Sequence, residues 1–299
     1  MSGPEVSVVI PAYNYGRFLT AAVHSAREQV GTEMEIIVVD DGSTDDTEDV
    51  VRRLEGPVRY VKQRNAGPAA ARNCGVALAR GEFVAFLDAD DYWLAGKMQR
   101  QLDVLRMHAE IGVCHSAFEV VEDTTLRRRP GRYWGTSGIH PTLDELLLDF
   151  CVNMSTVVVR RSLLERVGGF DARLGSSGED WNLWIRLALS DVRFYYVNET
   201  LVVTRHHGEN VHVRKDPELQ RRHTESMVRS LEREYRDQVP AWWLERMPSL
   251  LHFFYARACF ERGEVLGFVR HLVGSVWASP VFGVKLFGRK VVRRWSNGG

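Results

Sequence analysis

From Gly81 to Asp91 the chain reads Gly-Glu-Phe-Val-Ala-Phe-Leu-Asp-Ala-Asp-Asp. The apolar run Phe83 to Leu87 is too short for a helix and has no polar position for a solvent face. It predicts a strand buried on both sides, as in the middle of a parallel sheet. Asp88, Asp90 and Asp91 then fall at its carboxyl end, the edge of an open α/β sheet where ligands bind. Carboxylates this close repel one another. A hard divalent cation, partly coordinated by a ligand's phosphates, would offset them. A solvated acidic turn is the other arrangement that this spacing allows.

The rest of the first ninety residues repeats the same grammar. Val6 to Ile10, Glu35 to Val39 and Val58 to Val61 are short β-branched runs. Between them Leu19, Ala22, Val23 and Ala26 recur at helical spacing, as do Val50, Val51 and Leu54, and Ala69 to Ala79 is a small-residue helix. Asp45 with Glu48 has the form of a capping box at the start of the second helix. Alternation of strand and helix with short loops predicts an α/β fold with a parallel sheet flanked by helices. The first strand would end in Pro11-Ala12-Tyr13-Asn14, the second in Asp40-Asp41, and both should share an edge with Asp88 and Asp90. An aromatic side chain, carboxylates for ribose or base donors and carboxylates for a metal–diphosphate make a nucleotide pocket. Neither G-x-G-x-x-G nor G-x-x-x-x-G-K-[ST] occurs, which disfavours dinucleotide and P-loop chemistry.

Composition narrows the alternatives. Of 299 residues, 39 are Lys or Arg and 39 are Asp or Glu, a balance that argues against a general nucleic-acid binder. The four cysteines lie far apart, form no C-x-x-C pair and fit buried thiols in a reducing compartment. No signal-peptide pattern opens the chain, and no apolar stretch reaches the ~18–20 residues that span a bilayer. A cytoplasmic protein, working at the inner face of the membrane, is the expectation.

Four motifs in order carry a resemblance: Val-Ser-Val-Val-Ile-Pro-Ala-Tyr-Asn, then Glu-Ile-Ile-Val-Val-Asp-Asp-Gly-Ser-Thr-Asp, then Asn65-x-Gly67-x-x-x-Ala71-Arg72-Asn73-x-Gly75, then Phe86-Leu87-Asp88-Ala89-Asp90-Asp91. Together they resemble the inverting family 2 glycosyltransferases of GT-A fold. The resemblance runs to about residue 212 and implies a catalytic domain over 1–215, followed by a helical region over 216–299. It implies a nucleoside diphosphate sugar donor and a divalent metal, Mn²⁺ or Mg²⁺. Pro11, Ala12, Tyr13, Asn14, Asp41, Asp40, Arg72, Asn73, Asp88 and Ala89 would line the donor, and Asp90 with Asp88 would approach the metal. For Asp40 a turn or helix-cap role is the structural alternative. For Arg72 it is a salt bridge within the fold.

Further on, Gly168-Gly-Phe-Asp171 and Glu179-Asp180 match the family's acceptor-side motif. The resemblance makes Asp180 the general base and Glu179 its orienting or acceptor-binding neighbour. Carboxylates at a helix N-terminus are also favoured by the dipole alone. No Q-x-x-R-W follows, so addition of one or a few sugars is favoured over polymerisation. Arg205-x-His207-x-x-Asn210 matches a loop whose histidine completes the metal site in relatives, and imidazole suits such ions. Arg127 to Pro130 reads as part of a mobile surface loop, and Arg193–Val197 and Thr200–Thr204 as two strands.

After Glu264 the chain has six basic residues and no acid, and Val284, Phe287, Val291 and Trp295 share one helical face. A basic amphipathic tail predicts either contact with an anionic membrane surface or a terminal helix docked on the protein. Leu266 to Val276 is apolar but interrupted by Arg270 and His271, so it should not span. The acceptor is expected to be a saccharide or glycolipid in envelope polysaccharide assembly. A soluble acceptor, a sugar-nucleotide pyrophosphorylase and a non-catalytic sugar- or nucleotide-binding protein are the rivals. The basic glycine-rich loop of a pyrophosphorylase is missing, since no Lys or Arg precedes Arg17.

Overall fold

The computed structural model describes residues 3–29, 31–131, 136–148, 152–174, 178–207, 217–245 and 265–278, with 249, 252, 255, 256 and 259 between the last two. The chain forms two compact units, Met1–Gly208 and Glu209–Gly299.

The first unit is built on one nine-stranded sheet. Its strands are β1 (Val6–Ala12), β2 (Met34–Asp40), β3 (Arg59–Lys62), β4 (Phe83–Phe86), β5 (Tyr92–Trp93), β6 (Ile111–Glu122), β7 (Arg128–Pro130), β8 (Val158–Arg160) and β9 (Arg193–His206). The order is β3-β2-β1-β4-β8-β6-β9-β5, with β7 on β6. The first four are parallel, as the alternating pattern predicts. From β8 onward the sheet is mixed: β8 runs antiparallel to β4 and β6, while β9 is parallel to β6. Val8, Ile10, Val38, Phe83 and Ala85 are buried in one cluster, so these apolar runs fill the core rather than one face of a half-open sheet.

The helices are α1 (Gly16–Arg27), α2 (Thr47–Arg53), α3 (Pro68–Leu78), α4 (Lys97–Met107), α5 (Leu143–Leu148), α6 (Arg161–Val167), α7 (Glu179–Leu189) and, in the second unit, α8 (Pro217–Tyr235). Leu19, Ala22, Val23 and Ala26 are the buried stripe of α1. Gly75 is where α3 lies on β1: a Cβ there would stand 2.3 Å from Val9 Cγ1. That approach sets the neighbouring Arg72 and Asn73 against the sheet.

Three readings of the sequence change. Helix α2 begins at Thr47, and Asp45 accepts from Thr47 N at 3.1 Å and from Gly16 N at 3.1 Å; its oxygens serve two loops instead of one capping box. Arg128–Pro130 is a strand, not a loose loop, because Glu119↔Pro130 pairing closes a hairpin on β6 and Arg128 pairs with Glu119. Arg193 to His206 is one strand; the Asn198–Glu199 interruption is absorbed by a register shift between Ser116↔Val197 and Ala117↔Thr200.

Candidate active site

The carboxyl ends of β1, β2 and β4 converge. Ala12 pairs with Asp40 across β1 and β2, and Leu87 N donates to Val9 O at 3.1 Å. All three predicted strand-end motifs therefore share an edge.

Two of these motifs are held by dense local bonding. Asn14, at φ 57, donates its own N–H to Ser43 Oγ at 2.9 Å, and its Oδ1 accepts from Thr44 N at 2.8 Å. Asp40 is fully buried; Tyr60 Oη donates to Oδ2 at 2.6 Å and Ser43 N to Oδ1 at 2.7 Å. Burial pushes the Asp40 carboxyl up, but Tyr60, Ser43 and Lys62 together hold it below its ordinary range. Asp41 accepts from Gln63 Nε2 at 2.7 Å, Ala66 N at 2.9 Å and Gly67 N at 2.8 Å. Asp40 thus fills the turn role. Asp41 shapes the loop ahead of α3. Of the predicted donor residues on this side, Ala12 is buried, Pro11 is half-buried and Tyr13 presents its ring, 47% exposed.

Arg72 joins the sheet edge to α7. Its guanidinium is buried and donates to Asp88 Oδ1 at 2.8 Å and Glu179 Oε1 at 2.9 Å, linking residues 107 apart in sequence. Its Nε, also buried, has no hydrogen-bond partner among the described residues. Asn73 uses both ends of its amide on Phe170, donating to its O at 2.8 Å and accepting from its N at 2.8 Å. Gly169 lies so close that a Cβ would meet Asn73 Oδ1 at 2.5 Å. Asn73 therefore pins the Gly-Gly-Phe segment with both ends of its amide.

Glu179 and Asp180 start α7, where the helix dipole favours negative charge. Trp181 N donates to Asp180 Oδ1 at 2.8 Å. Burial, then the adjacent Glu179, pushes the Asp180 carboxyl up to about 8, while Arg72 opposes them. A carboxyl titrating there is a near-neutral acid–base group.

Asp90 Oδ2 and His207 Nε2 meet at 3.1 Å across 117 residues of sequence, both buried. The imidazole is wedged between Tyr15, 5.6 Å between centroids, and Phe18, 4.5 Å. One carboxylate oxygen and one ring nitrogen are donors suited to Mn²⁺-like ions. Asp88 lies with Arg72, and among the described residues no three His, Cys, Asp or Glu side chains converge on one point. The pair therefore fits a cation whose remaining ligands are water and diphosphate. The third predicted metal residue, Asp88, is not brought to it. Asn210 lies outside the described residues.

Sequence reasoning missed the support beneath this pair. Ser155, in the 3-10 turn Met154–Thr156, donates to Asp91 Oδ2 at 2.6 Å and accepts from Asp88 N at 3.1 Å. Arg205 N donates to Asp91 Oδ1 at 3.1 Å, while its guanidinium lies 5.0 Å from the Tyr92 centroid. Burial, then Asp90 and Asp88, pushes the Asp91 carboxyl well above its ordinary range. The one available signal was Asn153, whose Oδ1 caps the turn by accepting from Ser155 N at 3.0 Å.

The fold is shared with solved glycosyltransferase structures. TarS 1–349 of S. aureus in complex with UDP-GlcNAc superposes with a TM-score of 0.64 at 21% identity, over 94% of this chain and 83% of that one. The mannosyltransferase PcManGT of Pyrobaculum calidifontis, in complex with GDP-Man and Mn²⁺, gives 0.60 at 18%, over 99% and 81%. These likenesses define a GT-A fold. The family model described as glycosyl transferase family 2 matches residues 7–168, and the chain belongs to that family. An uncharacterized glycosyltransferase of Nostoc sp. is 32% identical over 229 residues, 70% of this chain and 67% of its own. WfaP of Escherichia coli, a UDP-Glc:alpha-D-GlcNAc-diphosphoundecaprenol beta-1,3-glucosyltransferase, is 29% identical over 221 residues, 72% of this chain and 82% of its own.

Proposed function

We propose that the Met1–Gly208 unit transfers a glycosyl group from a nucleoside diphosphate sugar to an acceptor hydroxyl, with inversion at the anomeric carbon. The observation that supports this reading is the buried Arg72 bridge, which joins the strand-end Asp88, two residues from Asp90, to Glu179 at the start of α7, next to Asp180. Tyr13 offers a face for the base, and the Asp41-ordered loop at Ala66 and Gly67 walls the donor side.

Inversion needs a base on the face opposite the leaving group. With Oδ1 engaged by Trp181 N, the second oxygen of Asp180 takes the acceptor hydroxyl's proton as that oxygen attacks the anomeric carbon. The bond from that carbon to the diphosphate breaks, and the nucleoside diphosphate departs. A titration near 8 makes the ionised form of Asp180 a stronger base than an ordinary carboxylate. A divalent cation at Asp90 and His207 would supply charge neutralisation for the departing diphosphate.

The acceptor we assign is a lipid-linked saccharide used in envelope polysaccharide assembly. Support comes from WfaP, whose acceptor is a diphosphoundecaprenol-linked sugar. The test is Asp180→Asn. Donor binding should persist by calorimetry, while kcat falls about 10²–10⁴-fold, the range of a lost general base. Near-parent kcat would reduce Asp180 to a helix-terminus residue, and a retained anomer by NMR would remove the inverting mechanism.

A further inference from the structure

We propose that the helix over Val265–Ala278 docks the chain on an anionic bilayer surface, lying in the interface plane with its apolar side toward the lipid. Val265, Leu266, Val269, Val273 and Trp277 recur at helical spacing and are 70, 88, 47, 60 and 88% exposed. The opposite side carries contacts to the rest of its unit through Ser275, Gly274 and His271, whose ring also lies 5.1 Å from that of the buried Tyr255. Ser249 Oγ donates to Ser275 O at 2.7 Å, and Ser275 Oγ to Ser249 O at 2.9 Å. The Nδ1 atoms of His271 and His252 lie 3.2 Å apart, and Gly274 sits against the His252 ring. An ordinary surface helix buries its apolar stripe and shows its polar one. Here five bulky apolar residues face outward, so this side is built for something other than water.

Length and charge select the occupant. Fourteen residues rise about 21 Å, short of the ~30 Å of a bilayer core. Among the described residues no helix is long and apolar enough to cross a membrane. A helix of this length with a bulky apolar side fits the headgroup boundary, with Trp277 at its end as an interfacial anchor. From Val265 to the C-terminus there are six Lys or Arg and no acid. A second copy would bring like charge against like charge; an anionic lipid surface brings the opposite. The basic amphipathic tail read from the sequence, Val284 to Trp295, carries five of these six charges and lies outside the described residues; the structural part of the inference is the exposed apolar side of the helix.

The experiment is co-sedimentation of the full chain with vesicles of phosphatidylcholine alone or with about 30% phosphatidylglycerol. The parent should pellet with the anionic vesicles and release as salt rises. The exposed-face variant Leu266→Glu/Val273→Glu should lower the partition coefficient at least tenfold, with an unchanged circular dichroism melt. It should hydrolyse a soluble sugar nucleotide like the parent, since neither residue belongs to the site. A full-length variant with Lys285, Arg289, Lys290, Arg293 and Arg294 changed to Gln separates tail from helix. If it alone loses binding while the Glu variant keeps it, the inference fails. It fails too if the parent stays in the supernatant at low salt, or if the parent sediments as a dimer that the Glu variant dissolves. Binding is read on vesicles without acceptor, so a wrong assignment of the transferase reaction would leave this result standing.

Discussion

Two strands of this sheet end in paired acids, and the two ends are put to different uses. At the end of β2, Asp40 and Asp41 accept hydrogen bonds from donors within 26 residues of themselves, among them Ser43, Tyr60, Gln63, Ala66 and Gly67. At the end of β4, Asp90 meets His207 from beyond β9, Asp91 meets Ser155 and Arg205, and Asp88 takes the nearby Arg72, whose guanidinium also reaches Glu179 107 residues further on. The first pair is ordinary turn chemistry raised to high density. The second leaves charge crowded where the fold itself supplies only part of the compensation. Adjacent carboxylates in a sequence thus say little about role; what distinguishes them is where their partners come from.

The sharpest way to break the comparison is to remove one carboxylate from each end. Asp90→Ala should lower transfer about 10³-fold, the loss expected when several kcal/mol of charge stabilisation disappear. Its melting temperature should hold or rise, because a crowded charge has gone. Mn²⁺ with a nucleoside diphosphate should raise the parent's melting temperature and leave the variant's nearly unmoved. Equal stabilisation of both by metal and diphosphate would dissolve the distinction between the two ends.

Asp41→Asn should show the reverse pattern. The carboxylate serves three donors, two of them backbone N–H groups, and an amide cannot accept on both sides. Leaving a buried donor unsatisfied costs about 1–3 kcal/mol. Urea unfolding would read that loss, with kcat reduced far less than in Asp90→Ala. A variant as stable as the parent but inactive would move Asp41 into the chemical half of the comparison.

The pH profile sharpens the same contrast. Asp180 is pushed up to about 8, so in the resting chain at neutral pH it holds its proton. kcat/KM, which reports the free enzyme, should rise with pH and level off above about 8. Arg72 opposes the upward push, and Arg72→Lys cannot span Asp88 and Glu179 with one ammonium. The limb should then move to higher pH. For stability the sign is opposite: a carboxyl raised in the fold binds its proton more tightly than in the unfolded chain. Its contribution is therefore lost as pH rises from about 4 toward 8. A flat profile across that range would mean that Asp180 is not the group whose ionisation limits the reaction.

Much of this architecture is legible from residues close together in the chain. Val6–Ile10, Glu35–Val39 and Phe83–Leu87 announce buried parallel strands because each is short and mostly apolar; β1 and β2 cover the first two, and β4 ends one residue short of the third, at Phe86. The arginines at 127–129 hide a strand because β7 is held by its pairing with β6, while its exposed side chains give no apolar pattern to read. The Asn198–Glu199 break reads as a strand end because a bulge is a property of two strands, visible only when β6 is laid beside β9. In the site, Asp41 was legible as a motif residue, while its hold on Ala66 and Gly67 depends on how the next loop returns. Asn73 shared its motif with Arg72, yet one faces Phe170 and the other the carboxylates. Ser155 carried no signal of its own, since its value lies in reaching Asp91 and Asp88 from another turn.

The smallest effect tests the scaffold half of the comparison at its most delicate point. Tyr60 Oη donates to the buried Asp40 at 2.6 Å and is itself pushed up in pKa by burial and then by that carboxylate. Tyr60→Phe removes one donor and keeps the ring, so it should cost about 1 kcal/mol in urea unfolding. The hydroxyl is also one of the groups that hold Asp40 below its ordinary range, against the burial that pushes it up. A depressed carboxyl contributes stability above its unfolded pKa and loses it as pH falls through the folded one. Without the hydroxyl the folded value moves up, so acid unfolding of the variant should begin at a higher pH than in the parent. Its kcat and its response to Mn²⁺ should stay at parent levels, because Asp40 meets neither donor nor metal in this reading. If Tyr60→Phe leaves the acid transition in place but lowers kcat, the strand end of β2 takes part in the reaction, and the two acidic ends are one site after all.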